Sequence, residues 1–136
     1  MSLKSQPSAL GSAVDRARNA HIAAVNAGDI DAAAGQFTSD GVLLPPGAPP
    51  LNGTAAIRGW FTQVFGMFRI QGFTIDPDAV EMFGNIVIEH GQWSGTFHPK
   101  DGSAARAAAG TYLTVYAHQP DGSVRMIRDT FNGMPG

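Results

Sequence analysis

The chain has 136 residues, 43% hydrophobic and only 15% charged, which suits one domain with a single sizeable core and excludes charge-driven disorder. Its net charge is −2, and Arg58, Arg69, Arg106, Arg125 and Arg128 are scattered rather than clustered, so the basic footprint of a nucleic-acid partner is missing. The absence of cysteine removes disulfides, thiol catalysis and thiolate metal sites.

Residues 1–8 read as a loose tail, and Met1 to Pro7 lacks the apolar run of a membrane span or signal peptide. A cytoplasmic chain with no membrane partner is the expectation. Residues 9–133 then read as one domain. From Ala9, apolar positions Leu10, Val14, Ala17, His21, Ala24 and Val25 recur at helical spacing. Gly28 closes that helix, because a glycine tolerates the positive φ of a C-terminal cap. Asp29 is placed to cap a second short helix running through Gln36, with Phe37 as its core anchor.

Ser39-Asp40-Gly41 carries turn chemistry, and Val42-Leu43-Leu44 a short strand. Four prolines within Pro45 to Pro50 then forbid helix and central strand alike. Thr54 is the expected cap of a third helix, whose Ile57, Trp60, Phe61, Val64, Phe65 and Phe68 form a wide aromatic stripe.

The second half reads as strands. Ile70 to Ile75 and Ala79 to Phe83 flank a break or bulge at Asp76-Pro77-Asp78, and Gly84-Asn85 is a tight turn. Ile86 to Phe97 is a long strand whose Gly91 and Gly95 permit bending. Arg106 to His118 and Val124 to Asn132 form a hairpin across Gln119 to Ser123. Helices first and a meander after them give an α+β pattern.

Four stretches are the most specific. They are Gly28-Asp29-Ile30, Val42 to Pro46, Leu51-Asn52-Gly53 through Ile57, and the ending Asp121 to Asn132 with its Arg128-Asp129 pair. Together they resemble the SnoaL-like and ketosteroid-isomerase-like members of the nuclear transport factor 2-like superfamily, over residues 10–133. The resemblance implies a cone-shaped fold: three N-terminal helices on a strongly curved antiparallel β-sheet, around an apolar cavity. It also implies a homodimer through the sheet, with Trp93 and Gln92 on opposite faces of one long strand.

Carried over position by position, the isomerases' tyrosine oxyanion donor falls at His21, their aspartate base at Leu44 and their protonated-aspartate donor at Thr114. An apolar Leu44 takes no proton, so that route of proton transfer is closed. If Thr114 faces the cup, strand alternation brings Tyr112 and Tyr116 with it. The family's inward positions on the last strand fall at Ile127, Asp129 and Phe131.

Asp129 is then a carboxylate in an apolar cup within reach of His21, and the catalytic candidates are His21, Asp129 and Thr114. Trp60, Phe61, Leu44, Tyr112, Ile127 and Phe131 are the candidate ligand contacts. The plainer alternatives stay open: a satisfied core histidine, and an Asp129 tied to an arginine. No cofactor is expected. A metal site is not expected either, since His21, His90, His98 and His118 form no H-x-H pair or H-E-x-x-H helix. Two functions stand beside each other. One is a pocket for a small apolar or carbonyl-containing molecule with acid–base chemistry of isomerase, cyclase or hydratase type. The other is a non-catalytic binding or dimeric interaction module.

Overall fold

The computed structural model describes residues 9–134, so the tail expected at 1–8 lies outside the described residues. The chain runs α1 (Ala9–Ala27), α2 (Ile30–Ala34), β1 (Phe37–Leu44), β2 (Leu51–Asn52), α3 (Gly53–Met67), β3 (Phe68–Phe83), β4 (Ile86–Pro99), β5 (Arg106–His118) and β6 (Val124–Phe131). The six strands form one curved, open sheet in the order β2-β1-β6-β5-β4-β3. This is the expected α+β cone, with one refinement: β1 pairs parallel with β6, while the other pairs are antiparallel. A parallel pair is possible here because β1 and β6 are linked through the whole domain rather than by a hairpin.

Local chemistry sets most boundaries. Gly28 takes φ 65°, and the Asp29 carboxylate accepts from the Ala32 N–H to open α2. That helix stops at Ala34, not Gln36. Phe37 is buried as expected, but as the first residue of β1. The expected turn at Ser39 to Gly41 is instead a bulge inside β1, where the pairing register to β6 shifts between Phe37 and Val42. Asn52, not Thr54, occupies the N-cap of α3, and its side chain makes no cap hydrogen bond.

The two segments around Asp76-Pro77-Asp78 are one strand, β3, with the register shifting between Pro77 and Ala79. A second shift lies between Gln71 and Thr74. Such bulges bend a strand and steepen its twist.

Inward positions of the sheet and the apolar stripes of α1 and α3 share one core. Val14, Ile57, Leu43 and Val87 are almost wholly inaccessible there. Gly91 permits the tightest bend. A Cβ at that position would run into the Asp76 carbonyl oxygen and lie 2.7 Å from Pro77 Cα. Both obstacles are backbone, so neither yields easily. Gly91→Ala is therefore expected to destabilise the protein by about 2 kcal/mol, the usual size of an overpacking penalty, read as a lowered urea midpoint.

Candidate functional site

A row of side chains crosses the inner face of the sheet. The pairings Val80↔Glu89, Glu89↔Thr114, Thr114↔Asp129 and Leu43↔Asp129 place these five residues side by side on β3, β4, β5, β6 and β1. Cross-strand neighbours on one face lie about 5 Å apart, so the polar members touch or face one another. The Thr114 hydroxyl donates to Asp129 Oδ1 at 2.7 Å.

Glu89 is fully buried, and the sequence offered only an alternating strand position to suggest it. Its carboxylate is held from two sides. Arg18 of α1 donates from Nε to Oε2 at 3.0 Å and from Nη2 to Oε1. The Tyr112 hydroxyl donates to Oε2 at 2.6 Å. The remaining Arg18 nitrogen, Nη1, reaches Asp15 Oδ1 at 2.8 Å. Burial disfavours the Arg18 charge, but the hydrogen bonds and charge of Glu89 outweigh it and hold the guanidinium more basic than usual. Burial, aided by Glu89, pushes the Tyr112 phenol up, so it is a neutral donor.

Above this row lies a cavity of about 90 Å³. An apolar cavity of ~150 Å³ takes one benzene ring, so the scale here is that of a small single-ring molecule. Counted out through its mouth to open solvent, the hollow reaches about 760 Å³. His21, Asp129 and Thr114 all line it, with Trp60, Phe61, Tyr112 and Phe131.

Leu44 and Ile127 are the two expected contacts that do not line it. Leu43 is the inward residue of β1, directly beside Asp129. On β6, Val115 pairs with Arg128 and Tyr116 with Met126, so Ile127 is the extra residue of a bulge. Inward pointing passes from Asp129 to Met126, and simple alternation fails there.

Two polar groups in the cup have opposite shifts from one cause. Burial raises the Asp129 carboxyl to about 7, with the Thr114 hydrogen bond pulling down and the Glu89 charge adding to the rise. Burial lowers His21 to about 4, so it is neutral at physiological pH. The His21 ring packs edge-on against Phe61 and Phe73, and its Nδ1 is buried without a hydrogen-bond partner. Among the described residues no hydrogen bond or ion pair joins His21 to Asp129, and none ties Asp129 to an arginine. The two groups share the cavity without forming a pair.

Second contacts hold the walls. Asn26 grips the bulged segment of β3, donating from Nδ2 to the Phe73 carbonyl and accepting from the Phe73 N–H at 2.8 Å, which seats Phe73 against His21. Asn132 accepts from the Trp93 indole at its carbonyl oxygen and from the Thr111 N–H at its side chain. That latch fixes Phe131 against Trp60 and Trp93. Among the described residues no group of three or more His, Cys, Asp or Glu is placed to hold a metal, and no helix is long and apolar enough to cross a membrane.

Comparison with known proteins points one way. The model of the SnoaL-like domain matches residues 19–127. A ketosteroid isomerase-like protein from Erwinia carotovora atroseptica superposes with a TM-score of 0.81 at 22% identity, over 92% of this chain and 96% of that one. A nuclear transport factor 2-like superfamily protein from Salmonella enterica gives 0.78 at 16% identity, over 92% and 91%. A protein from Novosphingobium aromaticivorans, provisionally named an aromatic ring hydroxylase, gives 0.76 at 28% identity, over 91% and 89%. No curated protein sequence matches the chain.

The two shifts have opposite signs in the pH dependence of stability. Asp129 is raised on folding, so its contribution is present at low pH and lost as pH rises from about 4 to about 7. His21 is lowered on folding, so the unfolded chain binds its proton more readily and stability is lost as pH falls from 6.5 to about 4. Relative to the wild type, Asp129→Asn is expected to gain stability as pH rises through the first window. His21→Phe is expected to gain as pH falls through the second. About 2 kcal/mol is the scale in each case, with the linkage value reduced because the cup is partly open. Urea unfolding at a series of pH values measures both differences, and flat difference curves would contradict the burial of these groups.

Proposed function

The chain belongs to the SnoaL-like domain family, and within it we propose a small-molecule site that performs cofactor-independent acid–base chemistry, with Asp129 as the proton carrier. The observation that carries this reading is a carboxyl group lining an apolar cup, raised to about 7 by burial, whose hydrogen bond comes from a neutral hydroxyl rather than a cation. A group with its pKa near ambient pH both accepts and releases a proton with little driving-force penalty.

Thr114 keeps the Asp129 carboxyl oriented. His21, neutral and lining the cavity, would hydrogen-bond an oxygen of the bound molecule through its ring. Aromatic walls exclude water and align the ring of the ligand. Proton abstraction beside a carbonyl, or protonation of a departing hydroxyl, both fit this arrangement. They correspond to isomerase-type and dehydration or hydration chemistry.

The test is a panel of small hydroxy ketones followed by proton NMR in deuterated water, which detects deuterium wash-in beside the carbonyl and dehydration alike. The wild type is expected to turn over members of the panel. Asp129→Asn should lower kcat by roughly 10²- to 10⁴-fold without lowering the melting temperature. Turnover by Asp129→Asn at the wild-type rate would sink the assignment. Ligand binding with no turnover by either protein would favour the non-catalytic binding module.

One observation favours an additional role for the outer face of the sheet. Leu113 is 40% exposed there, and Ile88, Val115 and Arg128 are aligned in the next row with no helix over them. We propose that this face pairs with a second copy of the chain, since apolar strand surface of this kind is normally covered. Leu113→Lys is expected to convert a dimer to a monomer in sedimentation velocity while leaving the fold intact.

A further inference from the structure

The charge inventory of the cup is unusually one-sided, and it bears on what the cup takes. Among the described residues no lysine or arginine lines the cavity. The one arginine close beneath it, Arg18, is occupied on every nitrogen: Nε and Nη2 by Glu89, Nη1 by Asp15. Two carboxyl groups, Glu89 and Asp129, line the wall, and the phenols of Tyr112 and Tyr116 beside them are held neutral by burial. The remaining titratable group, His21, faces the same space without a positive charge.

An anionic ligand would therefore lose its hydration and meet carboxyl groups with no cation to offset them. A cationic ligand would find Glu89 already neutralised by Arg18. Below about pH 7 it would have to ionise Asp129 inside an apolar wall. A neutral ligand meets neither penalty. It also has two places to hydrogen-bond, at the His21 ring that lines the cavity and at the Asp129–Thr114 pair.

We propose that the cup selects an uncharged single-ring compound carrying oxygen functions at two ends, one met by His21 and one by Asp129 with Thr114, and that the closed Arg18–Glu89 ion pair is the device that rejects carboxylates. This deepens the acid–base reading and rests on the same cup, but it concerns selection and not turnover. Glu89 acts here through Arg18: by occupying the guanidinium it removes the anion site that α1 would otherwise present.

Binding separates the two ideas. Three matched single-ring probes are titrated into the wild-type protein at pH 6, where the Asp129 carboxyl is protonated, and followed by quenching of Trp60 and Trp93 fluorescence. They are a hydroxyacetophenone, the corresponding hydroxybenzoate and a hydroxybenzylamine. The expected order places the neutral ketone at least tenfold tighter than the carboxylate and tighter than the amine. His21→Phe is expected to weaken the ketone by about tenfold, which a purely structural histidine would not do in a protein that still folds. Glu89→Gln, which frees the guanidinium, is expected to reverse the preference and admit the benzoate.

Equal or tighter binding of the carboxylate or the amine by the wild type overturns the proposal. So does an absence of saturable ketone binding up to millimolar concentration, or indifference to His21→Phe. If Glu89→Gln does not fold, the wild-type ranking and His21→Phe decide alone. A ketone that binds as expected but is never turned over refutes the catalytic reading and leaves the selection intact. A carboxylate that is bound and turned over does the reverse.

Discussion

A fully buried glutamate in the middle of a sheet has to be neutralised before anything can pack over it. In this protein Arg18 does that from α1, and the rest of the cup is arranged around the pair. An isolated carboxylate in that place would cost several kcal/mol in desolvation, and removing either partner leaves the other uncompensated at roughly 3–5 kcal/mol. The pair therefore dictates where α1 lies and at which rotation. Once Arg18 sits over Glu89, the next turn of the helix brings His21 to the cavity wall. Tyr112 completes the carboxylate's hydrogen bonding, and so commits the neighbouring strand as well.

The polarity of the cup follows from the same arrangement. One carboxylate is paired and closed to ligand chemistry, while the other sits two strands away with a threonine hydroxyl between them. Their environments differ although their residue types scarcely do: Glu89 faces a guanidinium, and Asp129 faces aromatic rings and one neutral donor. Separation of two similar groups by environment is a common way for one fold to hold a proton carrier ready near neutral pH. The bulges in β1, β3 and β6 matter for the same reason. Each re-aims a side chain that plain alternation would have pointed elsewhere, and together they close an open sheet into a cup.

The legible parts of the sequence were those written in local chemistry. Gly28 and Asp29 predict a helix end and a helix start through backbone angles and one short-range hydrogen bond. Both are found. The aromatic spacing on α3 predicts its buried face, and Ile57, Phe61, Val64 and Phe65 lie on it. The motif ending in Arg128-Asp129 carried the family resemblance, which implied inward positions for Thr114 and Asp129, and strand alternation added Tyr112 and Tyr116 to Thr114; all four line the cavity. Leu44 and Ile127 were misplaced because a bulge shifts the pointing sense by one residue, and nothing in the residues around them announces one. Thr54 is a good cap residue by type, but Asn52 stands at the position where the chain enters the helix.

Helix ends, strand runs, the α+β class and the family are therefore properties of the sequence by itself, because each depends on neighbours within a few residues or on a pattern of fixed period. The partner of Glu89 is not such a property. Glu89 and Arg18 are 71 residues apart, and in the sequence Glu89 is one acidic residue on a strand and Arg18 one basic residue on a helix. Only packing brings them together, and only their burial gives the contact its weight. The same holds for His21 and Asp129. Their side chains are named by the sequence, but the proton affinity of each is set by how much water the folded cup leaves beside it.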